Sequence, residues 1–247
     1  MSQADRTATP PRAPEAAPVA RSGGSALWHD WVKPFLMVLV VVCSLRSAVA
    51  DWNDVPSGSM RPTILEGERI FVNKLAYDLK VPFTRIRIAE WGEPERGDVV
   101  VLYSPENGKR LVKRVVGLPG DQLAMRDGRL YVDGTPAEYQ PLETGDRAEL
   151  GLNGEPPAMV VWERIGARTH PVTWTPMQPN IRSFGPLQIP ADSFFVMGDN
   201  RDNSRDSRWF GFVDRELIVG EAKAVVVSLD PEHYFAPRWD RFFFGLP

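Results

Sequence analysis

Histidine is scarce in this chain of 247 residues: there are three, His29, His170 and His233, far apart and without metal-ligand spacing. No zinc or other metal site is expected, and a histidine-based triad has little to draw on. The single cysteine, Cys43, rules out an internal disulfide, so cysteine usage carries no information about compartment. Neither sign of charge dominates, and a formal net charge of −3 argues against a nucleic-acid partner. Long apolar runs are absent too, with one exception near the N-terminus.

The hydrophobic fraction of 43% is ordinary and supports one sizeable domain with attachments, or two small ones. Residues 1–26 are rich in Ala, Pro, Ser and Gly. Such a segment buries too little apolar surface to offset its ordering entropy and reads as a disordered tail. The apolar exception follows, "WHDWVKPFLMVLVVVCSLRSAVADW". Trp31 to Ala50 is about 20 residues, the length a helix needs for the ~30 Å bilayer core. Trp28, Trp31 and Trp52 suit the interfaces, and Arg46 can snorkel. The expected reading is one transmembrane anchor over 31–50. The positive residues before it, Arg6, Arg12, Arg21 and Lys33, favour an inside N-terminus. Two rivals stay open: a cleavable signal peptide, with small Ala48 and Ala50 before Asp51, and a buried core helix.

Beyond residue 55 short runs rich in Val, Ile, Leu and Phe alternate with Gly, Pro, Asn and Asp. This is the punctuation of a mostly β domain with antiparallel sheet, not of βαβ units. "RDGRLYVDG" reads as hairpin edges with Asp-Gly turns. Residues 53–134 and 187–229 form the expected β core, 135–186 an inserted loop and β region, and 230–247 a C-terminal tail. The three phenylalanines of "RWDRFFFGLP" fit either core or a membrane surface.

Three stretches carry residues suited to chemistry. "VPSGSMRPTIL" holds Ser57 and Ser59. A serine hydroxyl needs an activating base, and no histidine or SxxK arrangement supplies one here. "RLVKRVVGLPGD" places Lys113 on a strand between apolar neighbours, where lost hydration lowers an amine pKa and lets it accept a proton. A lysine whose head reaches water from a sheet edge is the plain alternative. The third, "MGDNRDNSRDSRWFGFV", sets Asp199, Asp202 and Asp206 against Arg201, Arg205 and Arg208. A calcium loop is excluded because its glycine and closing glutamate are missing. A structured ion-pair loop is expected.

Together these stretches resemble the bacterial type I signal peptidases. "PSGSMRPT" looks like that family's nucleophile box, "GDVVVLYSP" its following strand, "KRVVGLPGD" its lysine box and "GDNRDNSRDSRWFGFV" its C-terminal box, in the same order. The resemblance implies that Ser59 is the nucleophile and Lys113 its general base. Ser57 would join the Ser59 N–H in an oxyanion hole. Ser204 would hydrogen-bond and orient the lysine, Asp206 and Arg208 would form a supporting ion pair, and Gly198 and Asp199 belong to the same box. Arg114 follows the lysine as in the family and is assigned no chemical step. No cofactor or metal is implied. The expected partners are signal-peptide-bearing precursors, membrane lipid and the secretion translocon, at a bacterial plasma membrane with the catalytic domain outside. Nine residue steps separate Ala50 from Ser59, at most about 30 Å, so an anchored nucleophile would work close to the membrane surface. Two other functions fit parts of the pattern. A tethered β module that binds extended peptides explains the strands but not the serine–lysine grouping. An autoproteolytic repressor lacks the apolar segment.

Overall fold

The structure, a computed structural model, describes residues 27–84, 86–150, 152, 159–175 and 180–247. The expected tail 1–26 lies outside the described residues, as do parts of the expected insertion. The chain divides into two compact units, Met1–Cys43 and Ser44–Pro247.

A π-helical turn, Trp28–Val32, leads into helix α1, Lys33–Ala48. Its 16 residues rise about 24 Å. Among the described residues no helix is long and apolar enough to cross a membrane. The expected span over 31–50 is therefore corrected at its C-terminal end. Ala50 opens strand β1 (Ala50–Val55), whose backbone groups pair from Asn73 to Glu68 instead of continuing the helix.

The rest of the second unit is β-rich. In chain order come β2 (Glu68–Asn73), β3 (Asp78–Lys80), β4 (Arg87–Glu90), β5 (Val99–Tyr103), β6 (Arg110–Gly117), β7 (Gln122–Arg126) and β8 (Arg129–Val132). Then follow β9 (Thr135–Pro136), β10 (Glu138–Pro141), helix α2 (Thr144–Glu149), β11 (Met159–Ile165), β12 (Arg168–Trp174), β13 (Phe184–Gln188) and β14 (Ser193–Met197). Helix α3 (Ser207–Phe210), β15 (Val213–Asp214), the long β16 (Ile218–Asp230), β17 (Ala236–Pro237) and β18 (Phe244–Gly245) complete it.

The main sheet has the order β1-β2-β16-β5-β6-β14-β15, with β17 and β18 also paired to β16, and its ladders are antiparallel. The mostly β, antiparallel expectation holds. β5 is the unbroken apolar run Val-Val-Val-Leu, which fits a central strand covered on both faces. Val99 and Val101 pack with Val55, Ile70 and Val225, while Val100 and Leu102 pack with Val115, Phe194 and Ile218. This alternation follows from the two-residue period of a strand. The Asp-Gly hairpins form as expected. Asp127-Gly128 joins β7 to β8 and Asp133-Gly134 joins β8 to β9, all four residues at positive φ.

Of the expected insertion, β10, β11 and β12 form a three-stranded sheet, while β9 and β13 join β7 and β8 in a separate four-stranded one. The C-terminal segment is part of the core, not a loose tail. β18 pairs with Ala224 and Val225, and Phe244 packs on the core while Phe243 stays exposed. Arg241 is fully buried. It reaches both carboxylate oxygens of Glu68, with Nη2 to Oε2 at 3.0 Å, and donates to the Thr63 carbonyl at 2.9 Å.

A buried carboxylate stripped of its cation is costly. Arg241→Ala should destabilise the protein by about 3–5 kcal/mol, measured by denaturant unfolding in detergent. A change below about 1 kcal/mol would mean the pair does not tie the C-terminal segment to β2.

Candidate active site

Ser59 lies in a single 3-10 turn, Gly58–Met60, directly after β1. Met60 is the plug that seats the turn: it is buried with Val55, Ile64 and Val72. Ser59 itself is partly exposed, and Ser57, at the N-terminal side of the turn, is exposed in an extended conformation. Lys113 comes from the middle of β6, paired opposite Val100 of β5. The lysine is 2% exposed, and its Nζ lies 2.7 Å from Ser59 Oγ and 3.0 Å from the Val112 carbonyl. Burial pushes the amine pKa down to about 8, against the opposing pull of the Asp206 and Asp199 carboxylates. The alternative of a lysine head that reaches water does not hold, because the side chain is buried and its amine faces Ser59.

The charged loop after β14 packs beside this pair. Asp199 is fully buried and forked by Arg114, Nε to Oδ1 at 2.9 Å and Nη2 to Oδ2 at 2.8 Å, and it accepts from the Thr63 hydroxyl at 2.5 Å. Arg114 also donates 2.7 Å bonds to the Gly97 carbonyl and the Pro247 oxygen. Asp206 is forked by Arg208, with two bonds of 2.8 Å, accepts from the Gly198 N–H at 3.0 Å and caps α3. Burial alone would raise both carboxyl pKa values; the paired arginines outweigh it and hold each below the ordinary range. Each carboxylate near the lysine thus has its own cation, which limits how far it holds the lysine charged.

Ser204 is buried beside Gly198 and near the Asp206 carboxyl, which it helps keep ionised. Its hydroxyl makes no hydrogen bond to Lys113. The expected Ser204–Lys113 bond is absent because the amine is turned to Ser59 and the Val112 carbonyl. The other expected residues, Gly198, Asp199, Arg114, Asp206 and Arg208, are brought together here. Sequence reading missed Thr63 and Asn200. Thr63 closes the serine box itself, four residues after Ser59. Asn200 donates its backbone N–H to the Ser59 carbonyl at 3.1 Å and its side-chain Nδ2 to the Gly58 carbonyl at 3.0 Å. Its place inside the charged loop was the available signal.

A mostly antiparallel β fold that presents a serine hydroxyl to a buried amine has the equipment of a serine–lysine hydrolase, which performs acyl transfer without histidine. A profile of the family described as signal peptidase, peptidase S26, matches residues 28–227. Signal peptidase I of Pseudomonas fluorescens is 35% identical over 92% of this chain and 83% of its own length. The Pseudomonas aeruginosa enzyme of that name gives the same figures, 35%, 92% and 83%. Signal peptidase I P of Bacillus subtilis subsp. natto is 33% identical over 81% of this chain and 90% of its own. The chain belongs to the signal peptidase family, peptidase S26.

Gly198 is required by space. A Cβ there would sit 2.4 Å from the Ser59 carbonyl oxygen and 2.3 Å from Ser204 Oγ. Gly198→Ala should therefore cost about 1–3 kcal/mol and displace the Ser59 turn. Thermal unfolding in detergent checks this, and an unchanged midpoint would contradict it.

Proposed function

We propose that this chain is a membrane-anchored serine endopeptidase that removes N-terminal signal peptides from secreted precursors after an A-x-A-like site. The observation that carries the reading is the 2.7 Å contact between Ser59 Oγ and the buried amine of Lys113. Neutral Lys113 takes the Ser59 proton as Oγ attacks the scissile carbonyl carbon. The charge that develops on the carbonyl oxygen falls to the Ser59 N–H and the Ser57 hydroxyl. The tetrahedral intermediate collapses, the C–N bond breaks and the new amine of the mature protein takes the proton from the lysine ammonium. Lys113, neutral again, activates water for hydrolysis of the acyl-enzyme.

The two ion pairs position this chemistry. Arg114–Asp199 fixes the β6–loop junction and Arg208–Asp206 fixes the Gly198 backbone. The Ser204 hydroxyl, not bonded to Lys113 with Ser59 free, is at hand to orient the amine once Ser59 is acylated. The non-catalytic peptide-binding reading leaves a desolvated lysine facing a serine without purpose, at a cost in stability.

The apolar segment supplies the anchor in this reading. Phe35, Met37, Val38 and Val40 of α1 are exposed, as are Trp28 and Trp31 before it. An exposed apolar helix of this kind suits lipid better than water. We assign a single pass in a bacterial plasma membrane, N-terminus inside and catalytic unit outside, with lipid and the secretion translocon as partners.

Ser59→Ala and Lys113→Met should each abolish release of mature protein from a purified precursor while the protein stays folded. Retained turnover in either variant would contradict the dyad. For the wild type, kcat/KM should fall about tenfold per pH unit below the Lys113 pKa of about 8 and level off above it, because only the neutral amine acts as base. A flat profile between pH 6 and 9 would show that a different group is the base.

A further inference from the structure

The Gly58–Ser59 peptide is a planar trans unit, so its C=O and its N–H point in opposite directions. Whatever holds the Gly58 carbonyl also aims the Ser59 N–H. That carbonyl accepts two hydrogen bonds, from Asn200 Nδ2 at 3.0 Å and from the Arg61 N–H at 3.1 Å. Asn200 also takes the next carbonyl, that of Ser59, with its own backbone N–H at 3.1 Å. One residue therefore grips the Gly58 and Ser59 carbonyls, and its bond to the first lies opposite the Ser59 N–H. Asn200 is 6% exposed, and its Oδ1 has no partner among the described residues. The amide orientation is fixed all the same, because an oxygen in the Nδ2 position would face the Gly58 carbonyl.

Asn200 is itself held by the sheet of β10, β11 and β12. Thr173 near the end of β12 forms a parallel bridge with Asn200. The Thr173 N–H donates to the Asp199 carbonyl at 2.8 Å and the Thr173 carbonyl accepts from the Arg201 N–H at 2.9 Å. Arg201, 1% exposed, forks onto fully buried Glu163 of β11, with Nη1 to Oε1 at 2.6 Å. Glu163 also accepts from the Tyr139 hydroxyl of β10 at 2.6 Å, and His170 Nε2 of β12 lies 3.0 Å from it. Residues on all three strands thus converge on the neighbour of Asn200.

We propose that Asn200 is a positioning residue that orients the oxyanion-binding N–H of Ser59, and that the β10–β12 sheet is the brace that holds Asn200 in place. The inference rests on the reading of Ser59 as nucleophile. It gives the region 135–186 a task in the reaction, because a misplacement of about 1 Å at a reacting group costs on the order of a hundredfold in rate.

The test is steady-state cleavage of a purified precursor by the full chain in detergent, comparing wild type, Asn200→Ala, Asn200→Asp and Ser59→Ala. Asp keeps the shape of Asn but lacks the N–H donor, so it separates hydrogen bonding from packing. Both Asn200 variants should lose roughly tenfold to a hundredfold in kcat on the alkaline plateau, with KM within about twofold, and Asn200→Ala, which adds no charge, should leave the pH midpoint unmoved. Lost packing alone would spare Asn200→Asp. Wild-type kcat in Asn200→Asp overturns the proposal, and so does a loss confined to KM. A shifted pH midpoint in Asn200→Ala overturns it as well, since Asn200 would then act through Lys113. Activity in Ser59→Ala would instead sink the underlying reading, whatever the Asn200 variants do.

Discussion

The structure turns on one desolvated amine. Lys113 is useful only if it spends part of its time neutral at working pH, and burial is what lowers its pKa to about 8. The difficulty is that Asp199 and Asp206 both favour the ammonium. The protein meets it by giving each carboxylate a buried arginine, Arg114 for Asp199 and Arg208 for Asp206. Buried ion pairs contribute little net stability in general. Here they let carboxylates organise backbone around the lysine without fully restoring its proton affinity.

The sheet explains why the lysine can be buried at all. β6 lies between β5 and β14: Lys113 pairs with Val100 of β5, and the β14 ladder begins at the next residue, Arg114. β14 then delivers Gly198 and Asp199 directly beyond Met197, which pairs with Arg114. The nucleophile arrives from the far edge, where β1 ends and the Gly58–Met60 turn is pinned by buried Met60. Three segments distant in sequence meet because the strand order brings their ends together. The C-terminal segment closes the same arrangement, with the Pro247 oxygen on Arg114 and Arg241 on Glu68.

Much of this was legible in the residues. The Val-rich run of β5, the Asp-Gly hairpins and the apolar neighbours of Lys113 each carry their structural meaning locally. Ser59 and Lys113 were legible through their boxes, and the structure sets them within hydrogen-bonding distance. The end of α1 at Ala48 was not, because hydropathy counts residues while the pairing of Ala50–Val55 with β2 decides where the helix stops. Arg241 was hidden for a similar reason: an arginine reads as surface until its partner, Glu68, 173 residues away in sequence, is known. The same holds for Asn200, whose two acceptors belong to the serine box. Ser204 shows the reverse, a position expected to touch the lysine that sits close by without bonding to it.

The most direct test of the central claim is the titration of the Lys113 amine itself. It can be followed by NMR in the folded protein carrying nitrogen-15 lysine, with Lys113→Met to assign the signal. A midpoint at about 8 is expected. A midpoint at or above the ordinary lysine value of about 10.4 would show that the amine stays charged beside Ser59, and the serine–lysine mechanism would fail.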